Sequence, residues 1–174
     1  MIAMDYLDRI LRHYEGTFDI YRPYEINGRK YPAYGYFFSH LEKYVLLREA
    51  NLWKADSYEH ILFVDSERLT EEEIDSAKEV MVDYMEPVLV RKGQTLPEPN
   101  HMYSYLTVVF LSDKEIPGEV QKRIHQFKFE KGYNFNIRGY SQGRVVAVDL
   151  EKEKVYTNYQ GRKLKKIYRK TFSN

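Results

Sequence analysis

The chain contains no cysteine among its 174 residues. This absence excludes disulfides, thiolate nucleophiles, iron–sulfur clusters and cysteine-bound zinc. Net charge is nearly absent as well, because 27 basic residues face 26 acidic ones and leave +1. Proteins that coat nucleic acid usually carry a large surplus of Lys and Arg, so the total charge does not indicate that role.

Long hydrophobic runs are missing too. No stretch approaches the ~20 consecutive apolar residues that a transmembrane helix needs. The first residues, MIAMDYLDRILRHYEG, carry charges throughout and do not resemble a secretory signal. We therefore expect a cytoplasmic protein that makes no contact with a membrane.

Aromatic residues are what the sequence has in abundance, with 17 Tyr and 9 Phe. A core rich in rings is expected, in which many tyrosines keep the hydroxyl at water while burying the ring. There is no internal repeat, low-complexity tract or linker. The length then favours a single domain over residues 1–174.

Three local patterns predict helices. Residues 2–14 place apolar side chains on one stripe and charged ones opposite, as in an amphipathic helix. Thr70 and Glu73 have the spacing of a capping box that opens a second helix, and Pro87 is expected to end or kink it. A third, short helix is expected to begin near Pro117.

Alternating aromatic and branched residues predict strands elsewhere. Asn27 and Gly28 tolerate the positive φ of a tight turn, so strands are expected on both sides of them. In residues 44–67, YVLLREANLWKADSYEHILFVDSE, two apolar runs flank a polar stretch. We interpret them as two strands joined by a turn. A further strand is expected over residues 102–111.

The order of these elements predicts the fold class. The strand that contains His60, the helix over 70–86 and the strand over 102–111 should form a right-handed crossover between parallel strands. Residues 133–158 are interpreted as an antiparallel meander, and residues 161–172 as a closing helix. We expect an α+β (mixed α/β) fold, with a mixed, mostly antiparallel sheet, one βαβ crossover and helices packed on the sheet.

This element order, over residues 2–111, resembles the core of the restriction-endonuclease-like fold. The resemblance implies carboxylates that bind a divalent metal, with a lysine beside them whose ammonium assists phosphodiester hydrolysis. The catalytic candidates are Glu49, Glu59 and His60. The third strand reads Glu59-His60-Ile61, with Ile where the family has Lys. A metal-dependent nuclease-like enzyme with an unusual or degenerate site is thus the alternative function, and the competing interpretation puts these side chains at the exposed margin of the sheet.

A second resemblance covers more of the chain. YVLLREANLWKADSYEHILFVD, followed by a capped helix and later by VVAVDLEKEKVYTNYQGRKLKK, is similar to an uncharacterised bacterial single-domain family of unknown function. The resemblance implies an intracellular protein of one domain. It implies no role for any individual residue.

Other chemical motifs are not found. The five histidines have no metal-ligand spacing, and there is no HExxH, no phosphate-binding glycine loop and no G-x-S-x-G elbow. The sequence therefore predicts no metal, no cofactor and no assigned catalytic residue.

Six cations lie within the nine residues 162–170 near the C-terminus. They are Arg162, Lys163, Lys165, Lys166, Arg169 and Lys170. Such a cluster is able to bind phosphates or an acidic partner. It is equally typical of the solvated face of a terminal helix, with its cations near the negative end of the dipole.

Trp53, expected at the turn after Leu52, is the remaining binding candidate, either as an anchor for a partner or as a cap on the core. With the basic cluster, it predicts a non-catalytic intracellular binding or interaction domain. The expected partner is a protein or another anionic molecule, bound through the C-terminal cations. Nucleic acid is the less favoured choice.

Overall fold

The computed structural model describes residues 2–44 and 52–173. The α-helices are α1 (Ala3–Tyr14), α2 (Glu71–Val80), α3 (Gly118–Gln126) and α4 (Lys165–Lys170). A π-helix (Met81–Val90) continues α2, and 3₁₀ turns flank α4 at Arg162–Leu164 and Thr171–Ser173. The strands are β1 (Asp19–Tyr21), β2 (Tyr24–Ile26), β3 (Arg29–Tyr31), β4 (Ala33–Tyr44), β5 (Leu52–Ser66), β6 (His101–Ser112), β7 (Glu130–Gly132), β8 (Tyr140–Asp149) and β9 (Lys154–Thr157).

Seven of these strands form one sheet in the order β1-β4-β5-β6-β8-β7, with β9 also paired to β8. β5, β6 and β8 run parallel to one another, and the other pairs are antiparallel. The predicted α+β class, with a mixed and mostly antiparallel sheet, is confirmed. Asn27 and Gly28, at φ 49° and 83°, make the expected turn of the separate β2–β3 hairpin.

The predicted crossover from β5 through α2 to β6 is present. Its helix begins with the expected capping box, since the Glu73 amide donates to the Thr70 hydroxyl and the Glu73 carboxylate accepts from the Thr70 amide. Pro87 was expected to end or kink this helix; the helix does not end there, because it continues as a π-helix to Val90. Met81, Met85 and Val90 are buried there, and this apolar packing outweighs the donor that proline lacks.

The segment 133–139 is a loop, where the sequence predicted the first strand of a meander. Asn134, Phe135 and Asn136 all have positive φ, which a strand does not permit. β8 therefore returns to the sheet after α3 and pairs in parallel with β6. This adds a second crossover to the single one that was expected. The hairpin of β8 and β9 agrees with the prediction.

β4 and β5 pair as long antiparallel neighbours, and the polar stretch after Leu52, where a turn was expected, is part of β5. Most of the strand expected before that stretch, residues 45–51, lies outside the described residues. Tyr44 pairs with Leu52, and β5 then continues through Asp56 without interruption. The polar stretch that suggested a turn is accommodated in the ladder. Asp56 lies opposite His40, and the two side chains are hydrogen-bonded.

Helices cover both faces of the sheet. α1 and α4 pack on one face, called here the α1/α4 face, over Ile61, Phe63, Val109 and Val146. α2, the π-helix and α3 pack on the other, the α2/α3 face. Among the described residues, no helix is long and apolar enough to cross a membrane.

The last helix is fixed to the first by tyrosines. Tyr168 of α4 is fully buried, and its carbonyl accepts from the hydroxyl of Tyr6 at 2.7 Å. Its own hydroxyl is 3.1 Å from that of Tyr14. The C-terminal cations are thus carried by a segment with a defined position on the α1/α4 face.

Polar side chains close the carboxyl ends of the parallel strands. Ser112 donates to the carbonyl of Lys114 and accepts from the amide of Leu69. Asp149 is fully buried and accepts from the amide of Ile116. The loops that leave this edge are therefore pinned to it, whereas ligands of open α/β sheets usually bind there.

Candidate functional site

The nuclease candidates do not converge among the described residues. Glu59 and His60 are neighbours on β5, so their side chains point to opposite faces of the sheet. Glu59 faces Arg144 on the α1/α4 face, and His60 faces Tyr34 on the α2/α3 face. Glu49 lies outside the described residues.

His60 is buried, not placed at an exposed margin as the sequence interpretation had it. Its side chain packs among aromatic rings, because Tyr34 and Tyr36 on the neighbouring strand lie over it. The Tyr34 hydroxyl is 2.6 Å from Nδ1, and Nε2 has no hydrogen-bond partner in the described part of the chain. Burial, with the nearby His101, lowers the pKa of His60 to about 4. The imidazole is neutral at physiological pH.

His101 belongs to the same closed region. Its Nδ1 bonds the carbonyl of Arg138 and its Nε2 the hydroxyl of Ser104, while Tyr58 stacks on the ring. Burial lowers the pKa of His101, against the effect of the Arg138 carbonyl. Both ring nitrogens are occupied, so His101 has no free nitrogen for a metal or a substrate.

Glu86 anchors a third polar group on the α2/α3 face. The carboxylate is 2% exposed and accepts two hydrogen bonds from Arg91, at 2.6 and 3.0 Å. Tyr133 donates to it at 3.0 Å, and Lys131 lies 3.3 Å away. Burial favours the neutral acid, but these donors prevail and lower the pKa of Glu86. The arrangement is saturated and structural.

The α1/α4 face is different, because its charged groups are incompletely paired. Arg144 of β8 is 9% exposed, and its guanidinium lies 3.4 Å from the centre of the Tyr105 ring. The nearest carboxylate oxygen, on Glu59, is 3.9 Å away, and Nε has no hydrogen-bond partner in the described part of the chain. Burial raises the pKa of Glu59 in spite of Arg144.

Three tyrosines extend this site along the sheet. The ring centres of Tyr103 and Tyr105 on β6 lie 4.5 Å apart. The ring of Tyr103 also stacks with that of Tyr140 on β8, at 6.1 Å between the ring centres. All three are partly exposed to solvent. Burial, followed by the Tyr140 hydroxyl, raises the pKa of Tyr105 to about 12. We call Tyr103, Tyr105 and Tyr140, with Arg144, the tyrosine face.

The C-terminal cations lie next to this surface. Their segment, residues 162–170, is called here the basic segment. No carboxylate among the described residues comes within ion-pairing distance of it. Arg162 lies 3.7 Å from the centre of the Tyr159 ring, and Lys163, Lys166 and Arg169 are exposed. Lys165 is half-buried, and burial with the charge of Arg169 lowers its pKa.

Two contacts join the basic segment to the tyrosine face. Glu130 accepts hydrogen bonds from Gln142, which is beside Tyr105 in the sheet, and from Gln160. Gly161 then lies so close to β8 that an added Cβ would sit 2.9 Å from the carbonyl oxygen of Val145. The cations therefore begin directly beside the strand that carries Arg144.

The remaining candidate, Trp53, is part of β5 and pairs with Lys43 in the ladder. Its side chain lies outside the described part of the structure. The sequence had placed it at a turn, which the unbroken β5 corrects. Its proposed roles stay predictions.

The chemistry of the tyrosine face suits an anion or a planar aromatic group. In the described ranges, no three His, Asp or Glu side chains gather as metal ligands would. Rings, an arginine and cations without a nearby carboxylate are able to stack on aromatic groups and to pair with negative charge.

Sequence reasoning missed Tyr103, Tyr105, Tyr140 and Arg144. Their signal was period-two spacing, since Tyr103 and Tyr105 share a strand face, as do Tyr140 and Arg144. What the spacing could not show is that β6 and β8 are parallel neighbours, with Thr107 opposite Arg144.

The fold and this surface define an α+β protein with an aromatic and basic sheet face. The chain belongs to the family described as domain of unknown function DUF8052, whose sequence model matches residues 3–170. This confirms the expected membership of an uncharacterised family, and the function of that family is unknown. No curated protein and no solved structure matches the chain.

Proposed function

We propose that this protein is a non-catalytic binding domain for a polyanionic partner, held through the basic segment. The observation that carries the proposal is the charge of residues 162–170, where six cations face no carboxylate within ion-pairing distance among the described residues. The chain as a whole is nearly neutral, so this surplus is local. Elsewhere, cations such as Arg91 and Arg123 have carboxylate partners.

The position of the cluster supports a binding role over a purely solvated one. A free terminal helix would place its cations anywhere, but Tyr168 ties α4 to α1 and fixes them on one surface. Cations held apart from carboxylates repel one another, and a polyanion relieves that repulsion while releasing its own counterions.

The arrangement of the ionisable groups supports a non-catalytic role. Glu59 and His60 point to opposite faces, His101 has both nitrogens bonded, and Glu86 is saturated by donors. Polyphosphate, which carries charge without bases or side chains, is the simplest probe for the proposed binding. A second probe is a mixed-sequence single-stranded oligonucleotide.

The test is the triple variant Lys163→Gln, Lys166→Gln and Arg169→Gln, whose three side chains are exposed. We expect its affinity for polyphosphate at low salt to fall by about tenfold or more, because three phosphate contacts are lost. The slope of log Kd against log salt for the oligonucleotide should fall by about 2, since each contact contributes about 0.7 on single strands.

The matched control removes three exposed lysines outside the basic segment, one on α2, one in the loop after β6 and one on α3: Lys78→Gln, Lys114→Gln and Lys122→Gln. It changes the net charge by the same amount. Once the weaker long-range attraction that results from the lower net charge is allowed for, its Kd for polyphosphate should stay within about twofold of the wild-type value. Equal losses in both triple variants, or no binding of either probe by the wild type, would overturn the proposal.

A further inference from the structure

We infer that the tyrosine face binds the bases of a single-stranded nucleic acid while the basic segment holds its phosphates. This inference rests on the proposed function and names the class of its polyanion. It concerns a part of the sheet that the cations themselves do not occupy.

The first observation is the ring platform. Tyr103, Tyr105 and Tyr140 are linked by centroid distances of 4.5 and 6.1 Å and are all partly exposed. Tyrosines in globular proteins usually bury their rings and expose only the hydroxyl. A run of neighbouring rings on a sheet offers a π surface, and every base has a π face that is able to stack on it.

The second observation is Arg144. Its guanidinium carbon already lies over the Tyr105 ring, 3.4 Å from the ring centre. Its buried Nε donates to no acceptor in the described part of the chain, and the nearest carboxylate oxygen is 3.9 Å away. A buried donor without an acceptor is costly, and a ligand oxygen from a base or a phosphate would supply one.

The third observation is the layout of the two surfaces. Gln142 and Gln160 meet at Glu130, so the platform and the start of the basic segment share a border. At the Tyr140 end of the platform lies an open groove of about 480 Å³. Asn100, Met102 and Ile137 line this groove together with Tyr140. An extended strand is thus able to pass from the groove over the rings to the cations.

These features favour a single strand over other polyanions. A duplex hides the faces of its bases, so the rings would find nothing to stack on. An acidic peptide would pair with the cations and leave the platform unused. Stacking on aromatic residues together with a basic track is the common arrangement in proteins that bind single strands with little sequence preference.

The decisive variants are Tyr103→Leu and Tyr140→Leu, compared with Tyr103→Phe and Tyr140→Phe. Each leucine variant removes a ring and should weaken oligonucleotide binding at least about fivefold, whereas each phenylalanine variant keeps the ring and should stay within about twofold. Polyphosphate binding should not change in any of the four. Tyr21→Leu is the matched control, since Tyr21 is 50% exposed on β1 at the opposite edge of the sheet.

A second measurement uses the unaltered protein, in case a leucine variant does not fold. An oligonucleotide that contains 5-iodouridine cross-links to aromatic side chains on which it stacks, and mass spectrometry locates the linked residue. Single-stranded RNA and DNA both offer bases and phosphates, so the cross-linking is done with each, and the comparison shows which of the two is bound. We expect cross-links to Tyr103, Tyr105 or Tyr140. Cross-links confined to Tyr21 and Tyr159 would overturn the inference.

The failures of the two proposals are distinguishable. If the oligonucleotide and polyphosphate bind equally well, both depend on the basic segment and the tyrosine variants have no effect, the proposed function stands and this inference is wrong. The inference is equally wrong if duplex DNA or polyglutamate binds more tightly than the single strand. If no polyanion binds at all, both are wrong.

Discussion

The two faces of the sheet treat ionisable residues in opposite ways. On the α2/α3 face, His101 and Glu86 are buried with full sets of partners, and His60 is held neutral among rings. On the α1/α4 face, Arg144 and Glu59 stand 3.9 Å apart beside partly exposed tyrosines. The difference shows that successive charged residues along one strand lie in two separate environments, one on each face of the sheet.

The cause is the depth to which the helices cover each face. The π-helix extends α2 down to Val90 and brings Glu86 over the polar part of the sheet. On the other face, α1 and α4 leave Tyr103 and Tyr105 partly exposed. What is closed on one side is therefore open on the other.

The largest effect on stability should come from removing the buried carboxylate of Glu86 on the α2/α3 face. Glu86→Ala leaves Arg91, Lys131 and Tyr133 without their shared acceptor, and we expect the free energy of unfolding in urea to fall by about 3–4 kcal/mol. Glu79→Ala, at an exposed position on α2, should cost less than about 0.5 kcal/mol. Polyanion binding by folded Glu86→Ala should be unchanged. A variant as stable as the wild type would show that the network is not structural.

A smaller effect is expected from acid acting on His60. Because its pKa in the folded state is lowered to about 4 from 6.5, the unfolded chain binds the proton first as the pH falls. The stabilisation is complete above pH 6.5 and is lost between pH 6.5 and 4, by roughly 3 kcal/mol at most.

His60→Phe, which keeps a ring in the site, should lack that part of the pH dependence. Urea unfolding at several pH values measures it. His125→Gln is the control, because His125 is exposed and should leave the profile unchanged. Identical pH profiles for His60→Phe and the wild type would contradict the closed environment described for this residue.

The smallest effect belongs to the open face. Glu59→Gln removes the one carboxylate near Arg144 in the described structure, so oligonucleotide affinity should rise roughly two- to fivefold near neutral pH, with little change in stability. Burial already raises the pKa of Glu59, so the wild type should approach the variant as the pH is lowered. Glu67→Gln, at an exposed position directly after the end of β5, should change neither the oligonucleotide affinity nor its dependence on pH. Weaker binding by Glu59→Gln would place the ligand elsewhere.

The sequence predicted those parts of the fold that depend on local signals. The capping box at Thr70, the Asn27-Gly28 turn and the crossover to β6 all follow from short patterns, and the structure contains each of them. The parallel pairing of β6 with β8 is a contact distant in sequence, and the aromatic alternation in residues 133–140 pointed away from it.

The candidate site shows the same division. The basic segment was visible because its six cations lie within nine residues of the sequence. The tyrosine face was not, because it is assembled from two strands whose adjacency is decided by the sheet. His60 was misplaced for a related reason, since its burial depends on Tyr34 and Tyr36 from another strand.

The surface formed by β6 and β8 restricts how this family is able to vary. A loop gains or loses residues freely, but in a strand a single insertion between Tyr140 and Arg144 would turn the guanidinium toward α3, where Val145 and Ala147 now pack. Relatives should therefore keep these two residues four positions apart even where their turns differ in length.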